Sequence, residues 1–119
     1  MKQQQTFIQS VKHALNGMTY FFLHERNSKL QLCITITVVA IAFGLGVSTT
    51  QWIILLLCFA LVLGAEMLNT AIERLCDVVQ EEYHPVIKIV KDVAAGAVLF
   101  VSIITVVIGC IIFFPKIIY

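Results

Sequence analysis

Val93 to Phe114 runs without a single charged residue, and so does Leu30 to Val47. Each run is about long enough to cross a hydrocarbon core of roughly 30 Å as a helix. Lipid leaves little other choice, because an isolated strand strands its backbone donors and acceptors while a helix satisfies them internally. That rule overrides the β-branched stretch Ile34-Thr35-Ile36-Thr37-Val38-Val39, which would favour a strand in water. With 60% hydrophobic and 13% charged residues and a mean hydropathy of +0.96, the 119-residue chain is expected to be an all-α integral membrane protein. Its length suits one domain, residues 1–119.

Ahead of the first run, Phe7, Val11, Leu15, Met18 and Phe22 recur at three-to-four spacing, while Gln9, Lys12, His13 and Asn16 mostly fall elsewhere. This predicts an N-terminal amphipathic helix over about 5–25, too polar to span and suited to the membrane surface. Lys12, His13 and Asn16 also interrupt the place where the apolar core of a secretory signal would lie, so no cleavage is expected. A short charged link, Glu25 to Lys29, should lead into a first span over about 30–47. Ser48 to Gln51 reads as a tight uncharged turn, with Trp52 as an interfacial anchor. A second span should run over about 52–79 with a cytoplasmic extension, since no Gly or Pro interrupts it after Gly64. Gln80 to His84 break the pattern, Pro85 suits the first turn of a new helix, and a third span should occupy about 86–114, ending before Pro115.

Lys2, Lys12, Arg26, Lys29, Arg74, Lys88 and Lys91 then share one side, leaving only Lys116 on the other. The positive-inside rule makes the first group cytoplasmic in a multi-pass cell-membrane protein. The formal charge of +1 and the lack of a basic run interleaved with aromatics exclude nucleic acid as a partner class. Cys33, Cys58, Cys76 and Cys110 lack metal-ligand spacing and read as inert thiols among apolar neighbours.

Four polar residues break the apolar logic of the second span. At 100° per residue, Glu66, Glu73 and Asp77 lie within about 40° of one another and Asn69 about 60° to one side, forming one stripe. At 1.5 Å per residue Glu66 sits about 21 Å below Trp52, within the inner hydrocarbon, and Glu73 lies near the boundary. A carboxylate placed so deep costs roughly 2.5 to 3.5 kcal/mol on insertion scales and by default marks chemistry. Glu66 can meet a group carried by a lipid, whereas Glu73 and Asp77 can meet something delivered from the cytosol. A carboxylate withdrawn from water is a good candidate to take a proton from an attacking hydroxyl, with Asn69 one turn on orienting either partner. Glu73 and Glu25 offer hard oxygen ligands that Mg²⁺ accepts beside nucleotide phosphates, and Lys91 offers those phosphates positive charge.

Competing readings of the same residues remain open on spacing alone. Intramembrane Asn and Glu can simply glue helices together in an oligomer. Glu66 can also serve as the proton site of a small transporter subunit. Against that, the stripe runs out into a Lys- and His-bearing cytoplasmic loop, whereas a transport site is expected nearer the midplane. His84 and its neighbours can equally form an ordinary solvated turn, and His13 can be no more than a polar residue of the surface helix. Ala94 to Ala97 suit close helix packing. Soluble kinase architectures are excluded, because no GxxxxGK, HRD or DFG segment occurs.

Glu66-Met67-Leu68-Asn69-Thr70-Ala71-Ile72-Glu73, then Asp77, then Glu82-Tyr83-His84-Pro85, then Lys91-Asp92 with Ala94-Ala95-Gly96-Ala97-Val98, resembles the signature of the prokaryotic diacylglycerol kinase family. The likeness extends to Glu25-Arg26-Asn27 and the Phe114-Pro115-Lys116 ending, and is strongest to the Gram-positive branch, whose members are undecaprenol kinases. It implies a homotrimer with composite sites at subunit interfaces, MgATP as donor and a lipid alcohol, undecaprenol or diacylglycerol, entering from the bilayer. Carried over by motif, it implies Glu66 as catalytic base, Glu25 and Glu73 as metal ligands that also contact ATP, and Asn69 as a substrate-side polar residue. Glu82, His84, Lys91 and Asp92 fall at nucleotide-contacting positions. The surface helix matches more loosely and adds His13 to that group. Ala95 stands where some members carry serine, which leaves a hydroxyl contact to substrate there unsupported.

Overall fold

The computed structural model describes residues 6–118, which form four α-helices: α1 (Phe7–His24), α2 (Arg26–Leu45), α3 (Thr49–Val79) and α4 (Pro85–Ile118). The expected start of the surface helix near residue 5, and Lys2, lie outside the described residues. α2, α3 and α4 are each long and apolar enough to cross a membrane, as a multi-pass protein requires.

The helix ends show what the residues dictate locally. Thr6 caps α1 through a capping box: its hydroxyl accepts from Gln9 N–H at 3.1 Å and Gln9 Oε1 accepts from Thr6 N–H at 3.0 Å. Ser48 and Gln51 repeat the motif at α3, at 3.2 and 3.0 Å. The expected Ser48–Gln51 turn is therefore corrected: Ser48 is the cap and Thr49 to Gln51 already belong to α3. The reversal is made instead by Gly46, the C-cap of α2, at φ 66 and ψ 51. Only glycine takes that left-handed conformation without a steric penalty of roughly 1 kcal/mol. Gly46→Ala is expected to lower stability by about that amount, read as a lower melting temperature in detergent with the helix content unchanged.

The expected charged link Glu25–Lys29 is also shorter than the sequence suggests. Glu25 alone, extended at φ −96 and ψ 125, separates α1 from α2, and Arg26 to Lys29 form the first turn of α2. Ser28 explains the sharp joint: fully buried, its hydroxyl lies 2.8 Å from Phe21 O and 2.6 Å from Glu25 O, tying the last turn of α1 to the first of α2. At the other end of the chain, α4 continues through Pro115 to Ile118, where an end before Pro115 was expected. Proline's fixed φ fits a helix, and placed one turn from the end it removes a single i→i−4 bond, the one to the carbonyl of Ile111.

α3 and α4 pack along each other, and α2 leans on both. Their shared core, Ala42, Val47, Leu55 and Ile112 with Trp52, Phe59, Ile108 and Phe113 against it, sits at the end far from Glu73. Trp52 stacks at a tilt on Phe43, centroids 4.8 Å apart, so it is packed as well as suitably placed for an interface. Cys58 and Cys76 are buried, whereas Cys33 and Cys110 are exposed; all four are free thiols, and the expectation of four packed cysteines holds for two. α1 packs on α2.

Candidate functional site

α3 carries the polar stripe without a break, so its spacing translates directly into a ladder running along one helix. Glu66 forms the deep rung and is only 7% exposed. Gln31 of α2 reaches it, Nε2 donating to Glu66 Oε1 at 3.4 Å. One turn on, Asn69 Nδ2 donates to Glu73 Oε1 at 3.3 Å. That bond orients the amide, since the flipped side chain would set oxygen against carboxylate. Asn69 Oδ1 is left buried with no partner among the described residues, an unmet acceptor.

The upper rungs are tied to neighbouring elements by charge. Arg74 Nη2 donates to Glu25 Oε1 at 2.6 Å, docking the α1–α2 joint onto α3 beside Glu73. Lys91 Nζ meets Asp77 Oδ1 at 2.7 Å, joining α4 to α3, and Lys88 Nζ meets Asp92 Oδ2 at 2.6 Å within α4. These are partly exposed pairs, each worth little as stability. Their effect is positional: they hold Glu25, Asp77 and Lys91 around the water-facing end of α3.

His84 caps α4. Its Nδ1 accepts from Val86 N–H at 3.2 Å and its carbonyl from Lys88 N–H at 3.0 Å, which leaves Nε2 free. The loop before Pro85 is thus held by a helix cap, and Glu82 and His84 are both exposed beside it. Glu82 and His13 make no hydrogen bond or ion pair among the described residues, and His13 stands exposed on α1. The fold therefore brings together Glu25, Glu66, Asn69, Glu73, Asp77 and Lys91, keeps Glu82, His84 and Asp92 on the adjoining loop and first turns of α4, and leaves His13 apart.

Below the ladder, α2, α3 and α4 enclose an apolar groove of about 360 Å³. Leu55, Phe59 and Val62 of α3 and Thr105, Gly109 and Phe113 of α4 form two of its walls, and Gln31 stands at its inner end. Apolar space thus leads up to the amide that touches Glu66. Gln31 and Arg74 are the residues sequence reasoning passed over. Gln31 could have been found as a lone amide in an otherwise apolar span, and Arg74 as the base adjoining Glu73.

The chain is similar to known proteins along most of its length. The family described as prokaryotic diacylglycerol kinase matches residues 12–113. The chain is 36% identical to an undecaprenol kinase of Bacillus subtilis over 92% of its own length and 89% of the relative's. It is likewise 36% identical to a diacylglycerol kinase of Synechocystis, over 89% of this chain and 61% of that one. A diacylglycerol kinase of Escherichia coli is 29% identical over 87% of this chain and 85% of its own. A match across nearly the whole chain, spanning all four helices and every rung from Glu25 to Asp92, makes this protein a member of the prokaryotic diacylglycerol kinase family.

Proposed function

We propose that this lipid kinase, folded as one domain over residues 1–119, transfers the γ-phosphoryl group of ATP to undecaprenol, giving undecaprenyl phosphate. The observation that carries the reading is a single helix that bears a buried carboxylate, reached by the Gln31 amide from the end of an apolar groove, and a cluster of charge at its water-facing end. A lipid alcohol and a nucleotide can meet along such a ladder. The name of the Bacillus subtilis relative supports undecaprenol as the acceptor.

In this reading Glu66 takes the proton as the lipid hydroxyl attacks the γ-phosphorus in line, the new O–P bond forming as the bond to ADP breaks. Asn69, whose Oδ1 is buried without a partner one turn from Glu66, helps hold the reacting groups. Lys91 exchanges Asp77 for phosphate oxygens, and Asp92, Glu82, His84 and His13 supply the remaining nucleotide contacts. Glu25 and Glu73 would hold Mg²⁺. The donor set fits that ion: each carboxylate has one oxygen engaged, by Arg74 or Asn69, and one without a hydrogen bond. No group of three or more His, Cys, Asp or Glu side chains gathers among the described residues. Mg²⁺ commonly takes one or two carboxylates and fills its octahedron with water and phosphate, where it offsets developing negative charge.

α1 is proposed to lie on the cytoplasmic membrane surface, with the site at that face. Val78, Val79, Val86 and Ile89 are exposed at the same end, about 40 Å from Trp52 and beyond the hydrocarbon. Exposed apolar residues there suit burial between copies, as a homotrimer would provide.

Diacylglycerol is the second acceptor, favoured by the names of the Synechocystis and Escherichia coli relatives. Phosphorylation of both lipids in mixed micelles with radiolabelled ATP decides between them. Undecaprenol is expected to be the better acceptor at equal mole fraction, and a preference for diacylglycerol overturns that choice. The absence of any MgATP-dependent lipid phosphorylation would overturn the lipid-kinase reading itself.

A further inference from the structure

We propose that Gln31 is a positioning residue for phosphoryl transfer, its side-chain amide fixing the carboxylate of Glu66 so that the second oxygen faces the acceptor hydroxyl. The inference rests on Glu66 being the base. Glu66 has three rotatable side-chain bonds, and a base must be held within a fraction of an ångström of the proton it takes. α3 alone offers no such hold: the only hydrogen bond to the Glu66 carboxylate among the described residues comes from Gln31 Nε2, at 3.4 Å to Oε1. Oε2 makes none. The tether also crosses between helices, so it fixes the carboxylate relative to α2 and not only to its own backbone.

Gln31 is itself well placed to be rigid. It stands one turn after Ser28, whose buried hydroxyl locks the α1–α2 joint, and its carbonyl accepts from Thr35 Oγ1 at 2.8 Å. The same side chain lines the inner end of the groove between α2, α3 and α4, so the oxygen it leaves free adjoins the space a lipid alcohol would fill. An amide in an apolar span needs a hydrogen-bond partner, and so does a buried carboxylate. Each here answers the other. An amide does so without adding charge, so Glu66 remains able to take a proton, which a lysine or arginine at this position would oppose.

The test compares Gln31→Met, which keeps the length and loses the donor, with Gln31→His, which keeps a ring N–H. Full-length protein in mixed micelles is assayed for kcat and for KM of MgATP and of lipid, with melting temperature as the structural control. Gln31→Met is expected to lower kcat by up to roughly 100-fold, the cost of misplacing a reacting group by about 1 Å. KM for MgATP and the melting temperature should stay near wild type, and Gln31→His should recover most of the lost turnover. Wild-type kcat in Gln31→Met, an equal loss in Gln31→His, or a loss explained by a falling melting temperature overturns the proposal. Retained turnover in Glu66→Gln would instead sink the assignment of the base, so the two failures are told apart.

Discussion

Glu66→Gln is expected to lower turnover severely while leaving an assembled protein that still binds MgATP. General-base catalysis contributes typically 10²- to 10⁴-fold, so the residual rate should fall by about that factor. The substitution is nearly isosteric, and the new amide oxygen can still accept from Gln31 Nε2, so the packing of α2 on α3 has no reason to change. At a site only 7% exposed, an amide is less costly to keep from water than a carboxylate charge. The variant should therefore melt no lower than wild type. Phosphate transfer from radiolabelled ATP, measured beside calorimetric nucleotide binding and thermal unfolding, separates the three quantities. Near-wild-type turnover would remove Glu66 from the role of base. Loss of nucleotide binding together with turnover would mean that Glu66 serves the donor side instead.

The combination of lost chemistry with retained or increased stability is informative because it runs against packing. A carboxylate kept at this depth for helix association would lower the melting temperature when neutralised, through weaker interhelical bonds. One kept for chemistry would not.

Spans and stripe were both legible because they depend on local periodicity. Uncharged runs fixed α2 and α4, and the 3.6-residue repeat placed Glu66, Asn69, Glu73 and Asp77 on one side of α3 before any packing was known. Pro85 read correctly as a first-turn residue for the same reason. Misreadings occurred where a short polar segment had two uses. Ser48-Thr49-Thr50-Gln51 looks like a turn by composition, yet Ser followed three residues later by Gln is equally a capping box, and the αL glycine at 46 had already made the reversal. Glu25 to Lys29 looks like a linker by charge, but one buried serine hydroxyl suffices to fold Arg26 onward into α2.

Long-range pairings were not legible at all. That Arg74 meets Glu25, 49 positions away, and Gln31 meets Glu66, 35 away, depends on how α2 lies against α3. No periodicity within one helix carries that angle. The pairing of Lys91 with Asp77 likewise needs the register of α4 on α3. Each of these residues was visible as a charge or an amide, and its partner was not.

Glu73→Gln should separate the donor side of the ladder from the acceptor side. Glu73 stands two turns above Glu66 on the same helix, about 10.5 Å along the axis, close to the Arg74–Glu25 pair. A glutamine there can keep a hydrogen bond with Asn69 but loses the negative charge that a hard divalent cation requires. Loss of a residue that merely orients a metal ligand costs roughly 10- to 100-fold, so loss of the ligand itself should raise the half-saturating Mg²⁺ concentration by at least about 100-fold. Nucleotide binding measured by calorimetry should weaken in the presence of Mg²⁺ and change little without it. Raising Mg²⁺ should recover part of the turnover, which it cannot do for Glu66→Gln, where the proton acceptor is gone. KM for the lipid should not move, since Glu73 is exposed at the water-facing end and the apolar groove lies below Glu66. An unchanged Mg²⁺ dependence in Glu73→Gln would remove this carboxylate from the metal, leaving Glu25, held by Arg74 at 2.6 Å, as the remaining acidic ligand of the proposed pair.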